Sequence, residues 1–262
     1  MRKSLLTLAV LSALASQVAF AEEAAAPAAA ETPAYTLAYN VGLYSQYIFR
    51  GMTQTANQPA IQGGVDFTHS SGFYLGAWAS NVSWLEDSRS YDKASLELDL
   101  YGGYRGAIKD VAYDVGLLQY VYPGTPNASQ AKAETTEVYG SLSYKWVTAK
   151  ISVAASDRVF GSRNASGTYY ADLTANYPLT DTITVTGHVG RQEYSGSYAG
   201  TSNDLYSYTD WKLGASKAFA NGVTVGGYYT DTNGKVGGYG PAVYAGGNIA
   251  DAQGTVYVSK TF

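Results

Sequence analysis

The sequence predicts an all-β fold, a transmembrane antiparallel up-and-down β-barrel of about twelve strands. Apolar and polar residues alternate with a period of two along most of the chain, as they do in strands with two different faces. The connections between these segments are alternately short and long. The composition, with 25 Tyr, 29 Gly and no Cys in 262 residues, is typical of short strands.

The first 21 residues have the features of a secretory signal peptide. They begin with the basic pair Arg2 and Lys3, continue with an apolar run, and end with small residues at Ala19 and Ala21. A membrane anchor, the alternative, would need roughly 18 uninterrupted apolar residues, and polar residues interrupt this run. We therefore expect residues 1–21 to be removed after export.

Residues 22–34 form a segment rich in Ala, Pro and Glu, which we expect to be a disordered leader before a barrel at residues 35–262. The formal charge of the chain is -4, and removal of two basic residues with the signal peptide leaves -6. This acidic balance argues against nucleic acid as a partner. The absence of Cys excludes disulfides and thiolate metal sites, and we expect no cofactor.

From Tyr35 onward, each alternating segment has one apolar face and one face of polar or very small residues. Leu37, Tyr39, Val41 and Leu43 illustrate the apolar face of the first segment. The predicted strands span residues 35–50, 58–69, 72–84, 93–105, 109–122, 134–146, 147–157, 167–178, 181–193, 206–219, 222–232 and 253–262.

The connections sort by length, which is typical of an outer-membrane barrel with short periplasmic turns and long extracellular loops. A soluble β-sandwich has no reason to sort its loops in this way. An even number of strands would place both ends of the chain in the periplasm. Short turns are predicted near residues 70–71, 106–107, 146–147, 179–180 and 221–222, and long loops at 52–57, 86–92, 123–133, 158–166, 195–205 and 232–252.

Aromatic residues gather near the ends of the predicted strands, where an apolar belt would meet water. The outward-facing candidates are Tyr47, Phe49, Tyr104, Tyr144, Trp146, Tyr177, Trp211 and Phe219. The last strand ends in an aromatic residue, Phe262, which is typical of the signal read by barrel-assembly machinery. Lys260 departs from that signal.

With YIFRG near residue 47, then QPAIQGGVDF, GFYLGAWASNVSW and a VSKTF ending, the chain resembles the TorF-like family of proposed proteobacterial outer-membrane porins. The likeness covers residues 35–262 and is most specific between Tyr44 and Trp84. It implies a barrel in the outer membrane of a Gram-negative bacterium with a proposed channel role. It implies no catalytic residues.

Charged residues on the polar face of the strands are expected to line the interior. A basic residue facing lipid near the midplane would cost roughly 2–4 kcal/mol, so these side chains must point inward. The predicted pore-lining residues are Arg50, Asp66, Glu97, Asp99, Arg105, Asp114, Glu137, Lys145, Lys150, Arg158, Asp172 and Lys212, with Asp210 as a further acidic candidate.

Twelve strands about 4.8 Å apart and tilted by about 40° give a backbone radius of roughly 12 Å. Opposite charges could therefore pair across the interior and close it. Many inward positions, however, carry small residues, such as Gly64, Gly76, Gly116 and Gly226, which would leave space. The longest loop, residues 231–253, could either fold into the mouth or extend outward.

The sequence thus favours a channel for small hydrophilic solutes or ions, in contact with outer-membrane lipid and lipopolysaccharide. A closed structural or surface-interaction barrel without transport is the alternative. An enzyme is not expected, because neither of the two histidines, His69 and His188, is placed for a lipase-type site on a lipid-facing surface.

Overall fold

A computed structural model describes residues 33–262. The predicted signal peptide and most of the predicted leader lie outside the described residues. Sixteen strands occur in this range, and twelve of them form one closed antiparallel barrel in which every strand pairs with its two neighbours. The predicted fold class and strand number are confirmed.

Each barrel strand overlaps one predicted segment. The barrel strands are β1 (Tyr35–Tyr44), β4 (Ala60–His69), β5 (Phe73–Asn81), β6 (Leu96–Ile108), β7 (Val111–Val121), β8 (Thr135–Tyr144), β9 (Val147–Ala154), β10 (Tyr169–Pro178), β11 (Ile183–Glu193), β14 (Tyr208–Ala218), β15 (Val223–Thr232) and β16 (Gln253–Thr261). The first prediction, residues 35–50, runs past the end of β1, and the turn predicted at 106–107 lies within β6. The barrel closes where β1 pairs with β16, with Leu43 opposite Val258.

The remaining elements are short and lie in the long connections. They are β2 (Ile48–Phe49), β3 (Met52–Thr53), the helix α1 (Trp84–Asp87), β12 (Ser197–Tyr198), β13 (Thr201–Ser202), a 3-10 turn (Asn203–Tyr206) and the helix α2 (Val236–Tyr239). Among residues 33–262, no helix has the length and apolar character needed to cross a membrane.

The strands have two faces, as their alternation predicts. On β1, Leu37, Val41 and Leu43 are between 42% and 58% exposed on the outside, whereas the alternate residue Tyr44 is buried inside. The same parity holds around the barrel, and it leaves an outer belt of apolar side chains. An apolar surface of this extent has a natural partner in lipid.

The aromatic residues predicted at the strand ends fall into two groups. Tyr144, Trp146, Tyr177, Trp211 and Phe219 are 43–50% exposed on the outer surface, as predicted. Tyr104 is half-buried, and its ring packs edge-to-face against the exposed ring of Phe73. The prediction for Tyr47 and Phe49 is wrong: Tyr47 is 5% exposed, and Phe49 packs against the inward rings of Tyr120 and Phe160. The physical reason is that β1 ends at Tyr44, so the period of two does not continue through this segment.

A charge placed in the outer belt should interfere with insertion into lipid. Leu117, in the middle of β7, is 56% exposed. We expect Leu117→Arg to destabilise the barrel folded in lipid vesicles by roughly 2–4 kcal/mol, measured as a decrease in the free energy of unfolding. Thr186→Arg, at an inward position of β11, is the matched control and should cost much less. Equal losses in a urea titration would contradict the assignment of the two faces.

Candidate functional site

The interior of the barrel contains a cavity, which we call the lumen. Its wall comes from the inward residues of the strands and is rich in charge. Four basic and four acidic residues line it, together with His188: Arg50, Arg105, Lys150 and Lys212, and Asp66, Asp114, Asp172 and Asp210.

One connection enters this interior. Strands β2 and β3 form a small hairpin, here called the inner hairpin, with Arg50 and Gly51 at its turn. Both turn residues have positive φ, 45° and 81°, as a two-residue turn of type I′ requires. A Cβ on Gly51 would lie 2.6 Å from Thr232 Cγ2 on β15 and 2.7 Å from Asp210 Cβ on β14, so glycine also allows the turn to touch these strands.

Arg50 attaches the inner hairpin to the far side of the barrel. Its guanidinium forms an ion pair of 2.8 Å with Glu137 on β8 and donates a hydrogen bond of 2.8 Å to Gln192 on β11. It also lies 4.4 Å from the ring centre of Tyr170 on β10. These strands lie opposite β1 in the closed order, so the chain crosses the lumen here.

The ion pair is nearly dry, with the side chains of Arg50 and Glu137 8% and 3% exposed. Burial alone lowers the pKa of Arg50, but the Glu137 carboxylate, together with Tyr120 and Tyr170, outweighs this effect and raises the pKa well above its ordinary value. Arg50 is therefore a fixed positive charge. An ion pair of this kind is costly to break, because either partner would remain buried and uncompensated.

Further hydrogen bonds hold the residue before the inner hairpin, its turn and its second strand. The Tyr47 hydroxyl donates to Glu97 at 2.9 Å. The Gln253 side chain donates to the Gly51 carbonyl at 3.1 Å, and the Thr53 amide donates to the Ile249 carbonyl at 3.1 Å. Ile249 belongs to the longest loop, which therefore folds over the mouth and packs on the inner hairpin.

A second cavity lies on the long-loop side of the inner hairpin. We call it the vestibule. Phe49 lines both the lumen and the vestibule, whereas Arg50 lines the lumen. The inner hairpin therefore divides the interior into two chambers.

Tyrosine hydroxyls hold the charged groups on one side of the lumen. Tyr101 donates to Asp66 at 2.6 Å, and Tyr74 donates to Asp114 at 2.6 Å. Arg105 lies over the Tyr74 ring, 4.6 Å from its centre, and its guanidinium donates to Thr68 at 2.6 Å.

The other side of the lumen has its own network around His188. The Nε2 atom of His188 lies 2.9 Å from the Tyr170 hydroxyl and 3.2 Å from Asp210, and Nδ1 lies 2.7 Å from Thr174. Asp172 accepts from Thr174 at 3.1 Å. Six of the eight charged side chains of the lumen, all except Lys150 and Lys212, are thus held in place by hydrogen bonds to neighbouring side chains.

Seven of the twelve predicted residues line the lumen: Arg50, Asp66, Arg105, Asp114, Lys150, Asp172 and Lys212. Arg50 does so from the hairpin turn, although it was predicted to lie on a strand. Three others, Glu97, Asp99 and Glu137, are buried at 0–2% exposure. Neither carboxylate oxygen of Asp99 has a hydrogen-bond partner among residues 33–262.

Lys145 and Arg158 lie elsewhere than predicted. Lys145 was expected on an inward strand position and Arg158 to line the pore directly after a strand, but β8 ends at Tyr144 and β9 at Ala154. Lys145 therefore occupies an exposed turn with a φ of 53°, and Arg158 lies exposed in the loop after β9. The alternation alone did not show where the strands stop.

The sequence reasoning missed the inward tyrosines. Inward glycines were expected to leave open space, yet several are covered by the ring of a paired residue on the next strand. Gly76 pairs with Tyr101, Gly116 with Tyr139, and Gly226 with Tyr257. A Cβ on Gly226 would lie 2.6 Å from the Tyr257 ring. Parity combined with register could have found these pairs, since both members fall on the polar face.

A closed antiparallel barrel with an apolar exterior and a charged interior has the architecture of the outer-membrane porins. The chain belongs to the family described as "Bacterial protein of unknown function (Gcw_chp)", which matches residues 28–262. No curated protein sequence matches the chain.

Several solved structures share the fold. The KdgM porin is 7% identical, with a TM-score of 0.54, and the match covers 86% of this chain and 99% of that chain. The KdgM porin in complex with disordered oligogalacturonate is 7% identical, with a TM-score of 0.51 and 86% and 98% coverage. The NanC porin is 10% identical, with a TM-score of 0.51 and the same coverage.

Loss of the Arg50 charge should release the inner hairpin. We expect Arg50→Met to leave Glu137 unpaired, at a cost of about 3–5 kcal/mol to the docked state. Since about 1.4 kcal/mol corresponds to a factor of ten, amide exchange in residues 48–53 should accelerate at least about 100-fold in lipid nanodiscs. Adding Glu137→Gln to this variant should restore part of the protection.

Arg105→Met is the control for this experiment, because Arg105 lines the lumen without an ion pair in the described part of the chain. It should leave exchange in residues 48–53 unchanged. Unaltered protection in Arg50→Met would show that the ion pair does not hold the inner hairpin.

Proposed function

We propose that the protein is an outer-membrane channel through which small hydrophilic solutes or ions diffuse. The observation that carries this proposal is the charged lumen, inside a closed barrel whose exterior is apolar. Charged side chains, which would be energetically costly in contact with lipid, lie inside the barrel, where only water and solutes would reach them.

The predicted export signal and the outer belt support a location in the outer membrane of a Gram-negative bacterium. In this orientation the long loops face outward, next to lipopolysaccharide, and the short turns face the periplasm. Phe262, 68% exposed on the outer surface, supports recognition of the last strand by barrel-assembly machinery.

Passage through this channel would be limited by the inner hairpin. It crosses the lumen from β1 to β8, β10 and β11, where Arg50 is bound, and Phe49 lines the cavities on both sides of it. Solutes would therefore be filtered by size at this level, and by charge against the residues that line the lumen.

The balance of charges in the lumen, rather than the similar solved structures, supports small solutes as the transported class. One neighbour is described as a complex with oligogalacturonate, a polyanion. The lumen of this chain has four basic and four acidic lining residues, which does not favour a polyanion. Small solutes of either sign fit this balance, as does the channel role implied by the resemblance to the TorF-like family.

A closed barrel is the second candidate, and the ion pair across the lumen is the observation that favours it. If the inner hairpin and the tyrosine rings sealed the passage, the long loops would be the functional part. Conductance separates the two candidates.

Single-channel recording tests the proposal. The refolded protein, inserted into planar bilayers, should produce discrete current steps. A barrel that is folded by circular dichroism and by heat-modifiable migration, yet silent, would support the closed alternative.

The lumen charges should set ion preference. Lys150 lines the lumen with its ammonium nitrogen 4.4 Å from the centre of the Tyr139 ring. We expect Lys150→Gln to shift the reversal potential, measured in a salt gradient, toward cation preference. Lys145→Gln removes the same charge from an exposed turn and should leave the potential unchanged. The same shift in both variants would exclude a specific role for the lumen.

A further inference from the structure

The vestibule differs from the lumen in its chemistry. Aromatic side chains dominate its wall, and they come from six separate segments of the chain. The rings that line it are Phe49, Trp84, Tyr122, Phe160, Tyr194, Tyr206, Tyr208, Tyr239 and Tyr244. None of the residues that line the vestibule within the described chain is Asp, Glu, Lys, Arg or His.

The rings form groups on different sides of the vestibule. Phe49 and Phe160 lie 5.8 Å apart, with edge-to-face geometry, at the inner hairpin. Tyr194 and Tyr206 lie 5.6 Å apart, and Tyr239 joins them, 6.0 Å from Tyr206. Because these rings hold one another, the vestibule has a wall of rigid flat surfaces rather than flexible side chains.

Polar but uncharged groups complete the wall. Gln54, Gln130, Ser88, Ser90 and Ser162 line the vestibule beside the rings. Amides and hydroxyls both donate and accept hydrogen bonds. A ligand that fits such a wall has a flat apolar face, carries hydroxyl groups, and has no charge.

A charged ligand fits poorly for a physical reason. Removing a charge from water without an opposite partner is costly, and the vestibule offers no partner of either sign. Gln54 donates to the Met52 carbonyl and Ser88 to Ser90, but these bonds use only part of the hydrogen-bonding capacity of the wall. A purely apolar ligand also fits poorly, because it would leave the remaining donors and acceptors of the serine and glutamine groups unsatisfied.

We propose that the vestibule binds a short neutral oligosaccharide. The ring faces would stack against the apolar faces of the sugar rings, and the amides and hydroxyls would bond to the sugar hydroxyls. This proposal deepens the channel function, since the vestibule leads to the lumen past Phe49, but binding itself does not require conduction.

Binding is measured by isothermal titration calorimetry on the refolded full-length protein in detergent. The probes are a panel of neutral trisaccharides (maltotriose, cellotriose, xylotriose and mannotriose), the acidic trigalacturonate, and indole as an apolar aromatic compound. We expect saturable binding of at least one neutral trisaccharide, and binding of trigalacturonate that is at least about tenfold weaker. Equal or tighter binding of trigalacturonate or indole would overturn the proposal.

Tyr194 provides the variants, because its ring is only half-buried and lines the vestibule. Tyr194→Leu removes the flat face, and we expect it to weaken binding of the neutral trisaccharide about fivefold. Tyr194→Phe keeps the ring and should stay within about threefold of the unchanged protein. Tyr198→Leu is the matched control: Tyr198 is a loop tyrosine, 48% exposed, outside the vestibule lining, and its replacement should have no effect.

The outcomes for this site and for the channel are distinguishable. A barrel that conducts but binds none of the neutral trisaccharides overturns the saccharide site and leaves the channel intact. A silent barrel that binds one of them, with the expected response to Tyr194→Leu, supports the site and argues against the channel. Equal loss of affinity in Tyr194→Leu and Tyr198→Leu would exclude the vestibule as the binding place.

Discussion

The ion pair between Arg50 and Glu137 determines how the interior of this barrel is organised. It joins a hairpin that starts on one wall to a strand on the opposite wall, at a distance of 2.8 Å. Because both partners are shielded from water, separating them would leave an uncompensated charge in a poorly hydrated place. The inner hairpin is therefore held across the barrel, and the division between lumen and vestibule follows from it.

The barrel wall has an apolar outer face and a charged inner face, and pairs of residues on neighbouring strands fit the large inward side chains into it. Apolar side chains face outward, and charged side chains face inward beside tyrosine hydroxyls that bond to them. Inward tyrosines lie over paired glycines, as Tyr139 does over Gly116, so that large rings are accommodated along the wall. Several glycines on the inner face of the wall thus make room for tyrosine rings.

The barrel strands could be predicted from the sequence, but the inner hairpin that lies inside the barrel could not. A strand can be predicted from alternation because its two faces are visible in a short stretch of neighbouring residues. All twelve predicted segments overlap barrel strands. The inner hairpin could not be predicted in this way, since its position depends on Glu137, Gln192 and Tyr170, which are far away in the chain. For the same reason Tyr47 and Phe49 were expected outside, whereas they pack inside.

The proposed channel requires that the inner hairpin constrict the passage between vestibule and lumen. The most direct test replaces residues 48–53 with a short Gly/Ser linker, keeping Tyr47 and its hydrogen bond to Glu97, and measures single-channel conductance. A hairpin that limits the passage predicts that the conductance rises severalfold in a barrel that still folds. An unchanged conductance in that barrel would show that the inner hairpin does not limit the passage.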